Sequence, residues 1–143
     1  MKQRLNDLKE ASEARTQRLI AIHDCNDPEF KRLKAEEENA KFPYTAGQDA
    51  AYYAWDRSIR MKSSELEADD LPYKNQMSDF VKTLREAGFT EIVVTDTNSD
   101  LISGLYELTR LGCTMKGMCE ITRGINYYGE EETVCVRGIR FGL

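Results

Sequence analysis

Histidine, tryptophan, proline and cysteine are scarce in this 143-residue chain, which holds one His, one Trp, three Pro and four Cys. A single histidine, His23, excludes a histidine-dependent triad or a multi-histidine metal site built within one chain. Its place near a helix end gives it a favourable dipole contact instead. The cysteines Cys25, Cys113, Cys119 and Cys135 lack the paired CxxC spacing of a structural zinc site, and three of them lie among apolar residues. They read as free thiols in a reducing compartment. Long apolar runs are missing too: no stretch reaches the roughly 20 apolar residues of a membrane span. The first 24 residues are charged throughout, without the apolar region of a signal peptide. A cytoplasmic protein without a membrane contact is therefore expected. Glycine occurs singly, at Gly104, Gly112, Gly117, Gly124 and Gly129, with no downstream Lys-Ser or Lys-Thr, so a phosphate-cradling loop is absent and nucleotide hydrolysis is not expected. Nothing calls for a cofactor or a resident metal.

What is present suffices for one folded core: 41% of residues are hydrophobic and 31% charged. The 20 basic and 25 acidic residues disfavour a nucleic-acid binder driven by phosphate contacts and point to protein partners. The charge is uneven. Residues 1–42 carry nine of each sign and 43–72 carry three basic and six acidic, while 73–143 carry eight and ten.

Leu5, Leu8, Ser12, Arg15, Leu19 and Ile22 recur at helical spacing, which predicts a partly apolar helix over about 2–23. Asp27 and Pro28 open a second helix that buries Phe30, Leu33 and Ala40, carries Glu36, Glu37 and Glu38 on a solvated face, and stops at Pro43. Thr45 caps a third, over 46–66, with Tyr52, Trp55, Ile59 and Leu66 on one side. An acidic link follows and ends at Pro72. Tyr73, Met77, Phe80, Val81 and Leu84 then predict a helix closed by Gly88. A strand at 91–95 leads through a polar turn to a helix over 100–111 that buries Leu101, Leu105, Leu108 and Ile102 and ends at Gly112. Strands at 114–122 and 132–141 flank a loop at 124–131. The reading is α+β: a helical half, 1–72, then an α-β-α-β-β module, 73–143, with a small, mostly antiparallel sheet.

Two constellations carry chemistry. Asp49, Tyr53, Asp56, Glu65, Glu67, Asp69 and Asp70 combine acids with an aromatic, suited to a basic surface on a protein partner. Asp96 and Asp100 flank a turn just after a strand, where metal-dependent nucleases place carboxylates, and Glu120 is a third candidate from a neighbouring strand. Asp, Thr, Asn and Ser in such a turn also serve as caps, and that is the expected role.

The stretch LREAGFTEIVVTDTNSDLISGLYELTRLGCTMKGMCEITR, with its GIRFGL ending, resembles the C-terminal part of small proteins carried on mobile elements of Gram-positive gut bacteria. The resemblance covers about 80–143 and rests on an apolar helix ending in Ala-Gly, a strand, an Asp/Thr/Ser turn and a helix ending in Leu-Gly-Cys. It implies context: small acidic non-enzymatic products of such elements include inhibitors of host defence, among them anti-CRISPR proteins. The leading expectation is a non-enzymatic inhibitor that occupies a surface of a nucleic-acid-processing partner such as a Cas9-type nuclease. A metal-dependent hydrolase using Asp96, Asp100 and Glu120 is the first alternative. A DNA-associated regulator using Arg4, Lys9, Arg15 and Arg18 is the second, weakened by the interleaved Asp7, Glu10 and Glu13. The N-terminal helices could also pair two copies of the chain.

Overall fold

A computed structural model describes residues 3–20, 28, 31, 32, 35 and 44–143. The chain divides into two compact units, Lys2–Tyr44 and Thr45–Leu143. The line drawn at residue 72 in the sequence runs inside the second unit.

In the first unit, helix α1 spans Gln3–Ile20. Leu5 is buried and Ile20 is exposed. Lys9 pairs with Glu13 one turn away, at 3.9 Å. The side chains of Arg4, Arg15 and Arg18 lie outside the described residues. Residues 28, 31, 32 and 35 are helical. The remainder of the expected second helix, with its cap at Asp27, Phe30, Leu33 and the stop at Pro43, lies outside the described residues, as do His23 and Cys25.

The second unit opens with α2, Ala46–Arg60, started by a capping box. Thr45 Oγ1 accepts from Gln48 N at 3.3 Å and Gln48 Oε1 accepts from Thr45 N at 2.9 Å, so two otherwise orphaned donors are satisfied reciprocally. The helix ends six residues before its expected limit, because Lys62 takes a positive φ of 48° and turns the chain. The expected core stripe through Tyr52, Trp55 and Ile59 also differs. Tyr52 and Trp55 are half-buried, with ring centroids 6.3 Å apart, and Ile59 is exposed. The buried stripe is Gly47, Ala51, Ala54 and Ser58. Small residues face inward because α2 approaches the next helix closely: a Cβ on Gly47 would stand 2.2 Å from Gln76 O and 3.0 Å from Phe80 N.

Strand β1 is the pair Glu67–Ala68, within the segment read as an acidic link. A 3-10 turn, Lys74–Gln76, leads into α3, Met77–Glu86. Gly88, at φ 89°, lets Phe89 N reach Leu84 O at 3.1 Å, the expected glycine cap. Then come β2, Glu91–Val94, and α4, Leu101–Arg110. Leu105 and Leu108 are buried as expected and Leu101 is half-buried, whereas Ile102 is 76% exposed. Strands β3, Thr114–Tyr127, and β4, Glu130–Gly142, form a long hairpin. The expected loop at 124–131 shrinks to Tyr128–Gly129. Both residues have positive φ, 52° and 86°, the requirement of a two-residue turn whose twist matches its strands.

The sheet order is β1-β2-β4-β3. β1 and β2 are parallel, and the other two pairs are antiparallel. The sheet is thus mixed, in an α+β fold whose first part is helix-rich. Phe80, Leu84, Ile92, Val94, Leu108 and Phe141 centre the core, between one sheet face and the helices. The opposite face at the β2–β4 contact is filled by Val93 over Gly138, where a Cβ would lie 2.6 Å from Val93 Cγ1.

Gly47→Ala should lower unfolding stability by about 2 kcal/mol despite the better helix propensity of alanine, because the Cβ meets backbone that cannot move aside. Urea denaturation measures this, and an unchanged midpoint would contradict the close α2–α3 approach.

Candidate functional site

The acids picked from the sequence fall into two groups once folded. Glu67 is fully buried and has become an internal hub. Its carboxylate accepts from Thr95 Oγ1 at 2.6 Å, Ser63 Oγ at 2.7 Å and Arg123 Nε at 2.8 Å, and a second Arg123 nitrogen closes on it. Arg57 Nη1 lies 3.5 Å away, and Arg57 Nε pairs with Asp69 at 2.8 Å. Burial, together with the neighbouring Arg57 charge, pushes the Arg123 guanidinium below its usual range. Glu65 pairs with Arg140 at 2.6 Å and Asp56 with Arg60 at 2.7 Å. Asp56, Glu65, Glu67 and Asp69 are thus in ion pairs within the unit. The Asp56–Arg60 pair is one helical turn, whereas the arginines that hold Glu65, Glu67 and Asp69 come from outside any local pattern, and sequence reading missed that role.

The remaining three, Asp49, Tyr53 and Asp70, border an open groove of about 840 Å³. Asp96 and Asp100, singled out for a different chemistry, line the same groove. Topology explains the convergence. β1 and β2 run parallel, so both chains leave the sheet at the same end, through the 69–72 and 95–100 loops. Ligands commonly bind beyond the carboxyl ends of parallel strands. The N-terminal residues of α2, the 3-10 turn and α4 complete the wall. Tyr53 is 47% exposed and Tyr73 is 74% exposed, so the rim offers two aromatic rings. Tyr73 was expected on the core stripe of its helix. It precedes the 3-10 turn instead, outside the helical register. Leu71, Pro72 and Ala50 supply apolar lining, and Lys74 is the one cation among the lining residues.

Asp96 is 7% exposed and holds the two loops together. Its Oδ1 accepts from Asn98 N at 2.7 Å, an Asx turn, and its Oδ2 accepts from Leu71 N at 3.0 Å. The capping role expected for Asp96 is replaced by an Asx turn and a bond to the 69–72 loop. Asp100 occupies the N-cap position of α4 but makes no side-chain cap hydrogen bond, so capping is not what its exposed carboxylate does. Asp70 accepts from Asn98 Nδ2 at 3.2 Å. Glu120 stands on β3, separated from β2 by β4, and pairs with Arg137 at 3.4 Å. Among the described residues no three His, Cys, Asp or Glu side chains are grouped to hold a metal ion. Cys113 is buried, which raises its thiol pKa, Cys119 is half-buried and Cys135 is exposed; none is in a disulfide.

A smaller cavity of about 250 Å³ lies beside residues 65–66 and 88–93. Its carboxylates are engaged: Lys116, at 2.5 Å, holds Glu91 below the usual carboxylate range, and Glu65 is bound by Arg140. The larger groove is the stronger candidate. No described helix is long and apolar enough to cross a membrane.

Two substitutions separate hub from groove. Glu67→Gln should cost about 3 kcal/mol in denaturant unfolding, because two arginines lose their buried counter-charge; a loss below a few tenths would remove the hub from the fold. Asp96→Asn should cost about 1–2 kcal/mol, since an amide offers one acceptor where two N–H groups need one each. Faster hydrogen exchange at Leu71 or Asn98 would confirm the cause, and unaltered exchange would refute it.

The profile of a family described as a domain of unknown function (DUF7698) matches residues 50–143, and the chain belongs to that family. The matched segment nearly coincides with the compact unit Thr45–Leu143 and contains every strand among the described residues. No curated protein and no solved structure matches the chain.

Proposed function

We propose that this member of the DUF7698 family is a binding protein whose groove takes a basic segment of a partner protein. The observation that supports the reading is the meeting of four aspartates, Asp49, Asp70, Asp96 and Asp100, with Tyr53 and Tyr73 around one open groove. Carboxylates attract a cationic segment and set its orientation. Exposed tyrosines supply flat apolar area and π faces over which guanidinium or ammonium groups settle. The apolar lining at Leu71 and Pro72 accepts the aliphatic stems that such side chains carry. No activity on the partner is required: occupation of a basic surface is enough to inhibit whatever that surface normally holds.

A partner that handles nucleic acid presents such a surface, and a Cas9-type nuclease is the first candidate to test, with an inhibitor carried on a mobile element as the biological setting. The overall negative balance of the chain fits the same partner class, because it repels the phosphate backbone that would compete for the surface.

The test uses a fluorescent oligo-arginine peptide first, and then a purified guide-loaded Cas9-type nuclease. The triple reversal Asp49→Lys, Asp70→Lys, Asp100→Lys should weaken peptide binding at least about tenfold, at roughly 0.5 kcal/mol for each exposed charge removed. Higher salt should weaken the wild type in the same direction. Reversal of Glu120 and Glu132, exposed acids off the groove, is the control and should change binding little. Equal losses for groove and control variants would reduce the effect to net charge and sink the groove reading. A nuclease that neither binds nor is inhibited would eliminate that partner alone.

A further inference from the structure

Two glutamates in the described unit have almost fully buried side chains, and they are treated differently. Glu67 has both carboxylate oxygens satisfied by two arginines and two hydroxyls. Glu107, on α4, is 2% exposed, and only its Oε1 is engaged, by Arg110 Nε at 2.9 Å. Its Oε2 is buried with no hydrogen-bond partner. A buried acceptor left unmade is costly, and native structures seldom leave one without a reason. The position of Glu107 supplies one. Ser103 and Gly104 line the groove, and Glu107 lies three and four residues further along, on the same stripe of α4. Helix α4 packs against the 3-10 turn that carries Lys74. Lys74 is exposed on the groove wall and forms no ion pair among the described residues, yet its charge acts on Glu107, where it reinforces the Arg110 hydrogen bond in holding that carboxylate below its usual range.

We propose that Lys74 and Glu107 form a latch that regulates the groove: Lys74 stands at the wall when the groove is empty and moves onto Glu107 Oε2 when a cationic segment enters. The inference rests on the basic-segment reading above. An incoming arginine or lysine is repelled by Lys74 and attracted by the aspartates. Moving the ammonium from the wall onto Glu107 removes the repulsion and gives the orphaned oxygen its missing donor. A lysine suits this role, with a flexible stem and a compact charge that can change partners.

A double-mutant cycle with the same oligo-arginine peptide tests the latch on the full chain. Glu107→Gln should weaken binding about fivefold to tenfold in the wild-type background, because Lys74 then has no carboxylate to retreat to. The same change in a Lys74→Met background should leave binding unaltered. Equal weakening in both backgrounds, or none in the wild type, overturns the latch while peptide binding stands. No peptide binding by the wild type overturns the latch and the groove reading together. Should Glu107→Gln fail to fold, the nitrogen resonance of the Lys74 ammonium decides: saturation with peptide should shift it and slow its proton exchange, as ion pairing requires, and an unmoved resonance overturns the proposal.

Discussion

The second unit is organised around one buried carboxylate. Glu67 sits on β1, the shortest strand and one edge of the sheet, and reaches Arg123 on β3, the opposite edge, as well as Thr95 just after β2 and Arg57 on α2. A flat sheet could not allow this contact, since two strands lie between its edges. The sheet must curl until β1 and β3 come within side-chain reach. A charge buried with its partners contributes little net stability against an apolar alternative, yet breaking one member is expensive. The network therefore acts as a register pin: slipping either strand by one residue would turn Glu67 or Arg123 to the other face and leave the counter-charges buried alone.

The same segment also seals both edges. Ser58 Oγ accepts the outward N–H of Glu67 at 3.0 Å. Ser64 exchanges two hydrogen bonds with Thr122 on β3, and Gly124 N donates to Met61 O at 2.8 Å. Open strand edges invite pairing with other chains. Here Ser58 in the last turn of α2 covers the β1 edge and the six-residue link 61–66 covers the β3 edge, and this is why the helix has to stop at Arg60 and turn at Lys62. Gly124 lies against Lys62 for the same reason.

The fold and the proposed binding groove draw on largely different acids. Glu65, Glu67, Asp56 and Asp69 are held by arginines, while Asp70, Asp96 and Asp100, beyond the carboxyl ends of β1 and β2, line the groove. Asp96 belongs to both sets, because its two oxygens fix the loops that form the groove wall. An electrostatic surface read from composition alone would assign all these carboxylates to a partner. The ion pairs divide them, and the groove that remains is smaller and more sharply placed than the acidic stretch suggested.

Local chemistry in the sequence determined the helix limits at Thr45, Gly88 and Gly112, the strand expected at 91–95 and found at Glu91–Val94, the hairpin and the α+β class. Each depends on a cap, a glycine or an alternation contained within a few residues. It also marked Asp49, Tyr53, Asp70, Asp96 and Asp100, though as two unrelated sets. Tertiary structure alone decided that these sets share a groove, because that follows from a parallel β1–β2 pair whose two-residue first strand carries no periodic signal. It alone decided that Glu67 is buried, since the charges that make burial tolerable, Arg57 and Arg123, are 10 and 56 positions away and in no local pattern with it. The small-residue face of α2 was equally hidden: hydrophobic periodicity marks large side chains, whereas close helix approach selects for their absence.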